Sequence, residues 1–106
     1  MTDQTPQKPQ DLKQKMLLET GKIEWQELQK HFAHGVVVVI DGKLDLVQVA
    51  TDFAEDNSAQ IEEWTKTGLI ARAMDNDARR WNENNTRFWA VVAAPWVLVQ
   101  EITAEA

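Results

Sequence analysis

Five consecutive β-branched residues, Val36-Val37-Val38-Val39-Ile40, constrain this chain more than any other feature. A strand built from them is apolar on both faces, so it must lie inside a sheet with cover on each side. The run is far too short to cross a bilayer. At 106 residues the chain is about one domain in length, so strand and cover come from a single core. Hydrophobic residues at 43% supply that core and exclude a collagen-like or largely disordered chain.

The rest of the pattern supplies the cover. Residues 1–10 hold two prolines, three glutamines and two threonines without an apolar period, and read as a mobile tail. From Leu12 the spacing turns helical, with Leu17, Trp25, Leu28 and Phe32 on one stripe and Gly21 lying within it. Gly35 is a natural stop for that helix. After the strand, Asp41-Gly42 signals a turn, and Asp45-x-x-Gln48 resembles a capping box. Leu46, Val49, Ala50, Phe53, Ile61 and Trp64 then share one face of a helix of about twenty residues, with Phe53 near the centre and Asn57-Ser58 as an alternative second start. Gly68 ends it, Leu69 to Ala73 is a weak strand, and Asp75 opens a short helix facing Ala78 and Trp81 inward.

Phe88 to Ile102 is strand-like and broken by Pro95, which cannot donate to a ladder. Two strands meeting at Ala94-Pro95 are preferred over one bent strand. The fold class is therefore α+β, a single domain over residues 11–102 between the tail and a frayed end at 103–106. Its order is α-β-α-β-α-β-β, with helices packed on a mixed four-stranded sheet. Val36–Ile40, the long helix and Leu69–Ala73 are expected to form a right-handed βαβ unit.

Several stretches resemble a known family: Glu19-Thr20, Ile23 with Trp25-Gln26-Glu27-Leu28, Leu44-Asp45-Leu46-Val47 with Val49-Ala50, and Ala94-Pro95-Trp96-Val97-Leu98-Val99-Gln100-Glu101. Together they are similar to small bacterial proteins grouped as a domain of unknown function, number twenty-two eighty-eight. The resemblance runs from Leu17 to Glu101 and departs at Gly21, where alanine is expected. It implies a small bacterial domain and brings no activity, cofactor or catalytic residue.

The most distinctive charged feature is acidic. From Leu44 to Trp64 there are six acids and no Lys or Arg, equal to the net charge of −6 of the whole chain. On one continuous helix Asp45, Asp52, Asp56 and Glu63 would fall within roughly 40°, as a stripe about 27 Å long. The plainest reading is a solvated face. A basic protein partner is the next, and a divalent metal held by Asp45, Asp52 and Asp56 a third. His31 and His34, with Glu27 one turn earlier, form a second metal candidate. Histidines in a last turn also suit the helix dipole on their own, and the chain has no HExxH and no cysteine. No cofactor is predicted, and the absence of glycine-rich phosphate loops and nucleophile elbows leaves catalytic residues unassigned.

Trp25, Trp64 and Trp81 read as core. Trp89 and Trp96 read as core if both sheet faces are covered and as an interface patch if one is bare, and the ribbon beside Trp96, Leu98 and Gln100 looks like an unprotected sheet edge. Arg72, Arg79, Arg80 and Arg87 are expected to pair with the acidic stripe, within the chain or between subunits. The acidic balance argues against nucleic acid, and no signal or membrane segment opens the chain, so the location is read as cytoplasmic. These features point to a non-enzymatic interaction or regulatory module acting as a homodimer, with Trp89, Trp96, Leu98, Asp52, Asp56, Arg79 and Arg80 at its contacts. The alternative is a small metal-dependent enzyme using Asp45, Asp52 and Asp56.

Overall fold

The structure, a computed structural model, describes residues 9–102. Its elements run α1 (Pro9–Glu19), β1 (Gly21–Glu24), α2 (Trp25–Ala33), β2 (Val37–Ile40), α3 (Leu46–Ala54), α4 (Ser58–Lys66), β3 (Ile70–Arg72), α5 (Asp75–Asn84), β4 (Arg87–Ala93) and β5 (Trp96–Ile102). Five strands form one mixed sheet in the order β1-β4-β5-β2-β3. Only β2 and β5 run parallel, and the other three neighbouring pairs are antiparallel. Among the described residues no helix is long and apolar enough to cross a membrane.

The β-branched run behaves as its composition requires. Val38 and Ile40 enter one core with Met16, Leu46, Val49, Ala50, Val91 and Leu98, beneath α1, α3 and α4. Val37 enters the other, with Trp25, Leu28, Trp81, Phe88, Val97 and Val99, beneath α2 and α5. Period-two alternation along β2 feeds both layers, so neither face is left to solvent. The hairpin at Ala94-Pro95 also forms as read, with Ala93 opposite Trp96 and Arg87 opposite Ile102.

Four expectations are corrected. The sheet has a fifth strand, β1, inside what reads as one helix. α1 stops at Glu19, and Gly21–Glu24 pairs with β4, placing Gly21 opposite Ala90 and Ile23 opposite Phe88. Leu17 is consequently 54% exposed while Met16 is buried. Pairing with a strand sixty-odd positions away overrides a local helical period. Glu27, read as a metal candidate with His31 and His34, instead starts α2, its Oε1 accepting the Glu24 N–H at 3.2 Å.

The acidic helix is two helices, separated at residues 55–57 where Asp56 adopts a positive φ of 58°. That break removes the right-handed βαβ unit, because β2 and β3 are antiparallel. A single helix would carry the chain back to the start of β2. The α3–α4 pair instead returns it to the end it left, where the Asp41 N–H donates to the Leu69 carbonyl at 2.8 Å.

The ribbon Trp96–Gln100 is no edge. β5 sits between β4 and β2, and the open edges are β1 and β3. Finally, Pro9 and Gln10 belong to α1 rather than to a tail, while residues 1–8 and the end at 103–106 lie outside the described residues.

Candidate interaction groove

Where β2, β3 and the β4–β5 turn come together beneath α4, an open groove of about 650 Å³ remains. The sheet contributes Val38, Ile70 and Trp96, and the helices contribute Phe53 and Ile61. Asp56, Ser58, Glu62 and Thr65 add polar groups, and Ala71, Arg72, Ala94 and Pro95 complete the lining. Phe53, Ile61 and Trp96 pack on the α3-side core yet are only half-buried, so their apolar surface is what the groove exposes.

Arg72 is fixed from two sides. Its Nη2 donates to the Gly35 carbonyl at 2.8 Å, and its guanidinium lies 5.4 Å from the Trp96 ring centroid. Gly35 ends α2 with a φ of +74°, a conformation that favours glycine and turns its carbonyl toward Arg72.

The lateral edge beside the groove is open. The Leu69 carbonyl and the Ala73 N–H both bond toward β2, the latter to Val37 at 3.0 Å. Antiparallel alternation then directs the backbone N–H and C=O of Ile70 and Arg72 outward. The opposite edge is guarded. The Glu24 N–H on β1 is already taken by Glu27, and Lys22 and Glu24 place charges along it.

The acidic residues do not form a shared stripe. Asp45 Oδ1 caps α3, accepting from Val47 N–H at 3.0 Å and Gln48 N–H at 3.4 Å. Gln48 does not reach back to complete a capping box; its amide donates to Asp52. Asp52 is buried at 7% exposure and also accepts from Asn57 Nδ2 at 3.2 Å. Asp56 stays exposed in the turn and lines the groove. The three carboxylates thus serve a helix start, an interhelical clasp and a rim. Among the described residues no three His, Cys, Asp or Glu side chains come together as a metal site. His34 caps α2 through Nδ1, 2.8 Å from the Lys30 carbonyl, and His31 lies in its last turn.

The remaining contact candidates separate. Leu98 is fully buried at the centre of the sheet and cannot reach a partner. Trp89 is 41% exposed, with Lys22 Nζ 5.1 Å from its ring, on β4 beside the β1 edge and laterally distant from β3. Arg80 pairs with Asp77 and Glu101 rather than with the acidic helices, and Arg79 is exposed. Partial burial works against charge on Arg80, but the hydrogen bonds and negative charges of Glu101 and Asp77 outweigh it and hold its pKa above the ordinary value. Sequence reading missed Phe53 and Ile61 as site residues, and gave Arg72 the acidic stripe as its partner where the structure gives it the Gly35 carbonyl. They share no motif and meet only because α4 folds back over β3.

A family model described as "Protein of unknown function (DUF2288)" matches residues 11–101. The NMR solution structure of PA1075 from Pseudomonas aeruginosa is similar over 100% of this chain and 97% of that one, with 37% identity and a TM-score of 0.79. No curated protein matches.

Proposed function

The chain belongs to the DUF2288 family of proteins of unknown function, and from that premise we propose that it is a non-enzymatic interaction module of the cytoplasm that self-associates. The contact is the open edge of β3, in place of the ribbon edge that the sequence suggested. One observation carries this reading. Ile70 and Arg72 turn their backbone donors and acceptors outward, and their spacing is self-complementary.

In a two-fold antiparallel pairing centred on Ala71, Ile70 of one copy faces Arg72 of the other. Each such pair exchanges both backbone bonds. Ala71 lies on the axis and is exposed, and its small side chain permits close approach. A three-residue seam is short, so the affinity depends on what packs beside it, which places the half-buried Trp96 next to the contact rather than within it.

Sedimentation velocity on the intact chain tests this. A concentration-dependent species of twice the 12.1 kDa monomer mass is expected. Ala71→Glu sets two carboxylates face to face on the axis and should return the monomer with an unchanged circular dichroism spectrum. A wild-type chain that stays at 12.1 kDa into the submillimolar range rejects the reading.

A further inference from the structure

We propose that the groove beneath α4 binds an extended segment of a basic partner protein, which seats an apolar side chain against Trp96 and sets Lys or Arg against the acidic rim. The apolar half follows from what is left uncovered. On this side of the sheet Ile40, Leu98 and Val91 are sealed, while Phe53, Ile61 and Trp96 remain half-open around a volume large enough for a bulky side chain.

The charged half follows from what is left unpaired. Asp56 and Glu62 line the groove, Glu55 and Glu63 are exposed next to them in sequence, and residues 44–64 contain no Lys or Arg. Among the described residues the ion pairs are those of Arg80 with Asp77 and Glu101; Arg72 also lines the groove but bonds the Gly35 carbonyl, so Asp56 and Glu62 are in no ion pair. The Arg72 guanidinium, held by Gly35, lies 5.4 Å from the Trp96 centroid, so the partner's apolar side chain packs on the part of the ring that Arg72 leaves open. A like-signed phosphate backbone or anionic bilayer would be repelled by the same carboxylates, which selects a basic protein segment over either.

The groove shares Ile70, Ala71 and Arg72 with the β3 seam and extends beyond it to Ala94, Pro95 and Trp96, so the two readings need separate readouts. The test is a titration of the intact 15N-labelled chain with a synthetic peptide alternating leucine and lysine. Its leucine–glutamate twin and a glycine–lysine version serve as controls. Saturable shifts are expected at the Trp96 indole, Ile61, Glu62 and Arg72 with the first peptide alone, weakening as salt is raised. Glu62→Lys, an exposed position, should weaken binding about tenfold without changing the rest of the spectrum. No shift at those residues at millimolar peptide overturns the proposal. Equal shifts from the acidic twin overturn its charge half, and equal shifts from the glycine version overturn its apolar half. Sedimentation of the same sample keeps the two readings apart: a monomer that binds the peptide ends the β3 seam and leaves the groove standing, and a dimer that does not bind it does the reverse.

Discussion

Glu101 Oε2 accepts the indole N–H of Trp81 at 2.9 Å and an Arg80 guanidinium N–H at 2.6 Å. The two bonds differ in consequence. Trp81 is fully buried among Trp25 and Phe88, with ring centroids 5.5 and 4.9 Å away, so its N–H has no water to turn to. Arg80 is 46% exposed at the side chain, where an ion pair adds little. Glu101→Ala is therefore expected to cost about 1–3 kcal/mol in urea unfolding, the penalty of an orphaned buried donor. Glu101→Gln keeps an acceptor for Trp81 and should cost clearly less. Equal losses in the two variants would assign the effect to the ion pair instead.

Asp52 closes the break between α3 and α4. Its carboxylate accepts from Gln48 and Asn57, and its backbone carbonyl accepts the Asn57 N–H at 2.9 Å. Asp52→Ala removes the side-chain clasp and should lower stability by about 1–3 kcal/mol. The local reading is sharper than the global one: amide exchange at Asn57 should accelerate in this variant while amides of β5 keep the ranking set by global unfolding. Unchanged exchange at Asn57 would mean that the backbone turn at Asp56 holds the break alone.

Leu98 and Phe53 exchange the ranks that their sequence contexts suggest. Leu98 is completely buried, and Leu98→Ala is expected to cost about 2–5 kcal/mol. Phe53 is half-buried at the groove, so Phe53→Ala should fall below the usual range of about 3–5 kcal/mol for a core phenylalanine. Denaturant unfolding of the two variants side by side checks the order.

These contrasts show where sequence reading reached and where it stopped. The β-branched run at residues 36–40 was legible because burial on both faces leaves no room for polar alternation. Gly35, Gly68 and Pro95 were legible because each obeys a local steric rule. The strand at Gly21–Glu24 was not, since only its pairing with Arg87–Ala90 distinguishes it from a helical turn. The acidic stripe failed for a related reason. One residue with positive φ, Asp56, ends the helical phase that would have aligned Glu63 with Asp45 and Asp52. The groove was illegible because Phe53, Ile61, Arg72 and Trp96 are joined by a fold-back of α4, which no spacing encodes.

Gly35 and Gly68 offer a paired test of how the groove is held. Both have positive φ, +74° and +79°, so alanine at either position carries a backbone cost of about 1–2 kcal/mol. Their surroundings differ. A Cβ at Gly68 meets nothing within 4 Å, whereas one at Gly35 lies 3.3 Å from Arg72 Nη2. Gly68→Ala should therefore lose stability alone, leaving the groove unchanged. Gly35→Ala should lose at least as much and also push the Arg72 guanidinium off the Gly35 carbonyl and away from Trp96. The Trp96 indole and Arg72 side-chain resonances read this directly: both should move in Gly35→Ala and stay in place in Gly68→Ala. Resonances that stay in place in both variants would show that Trp96, rather than the end of α2, fixes Arg72.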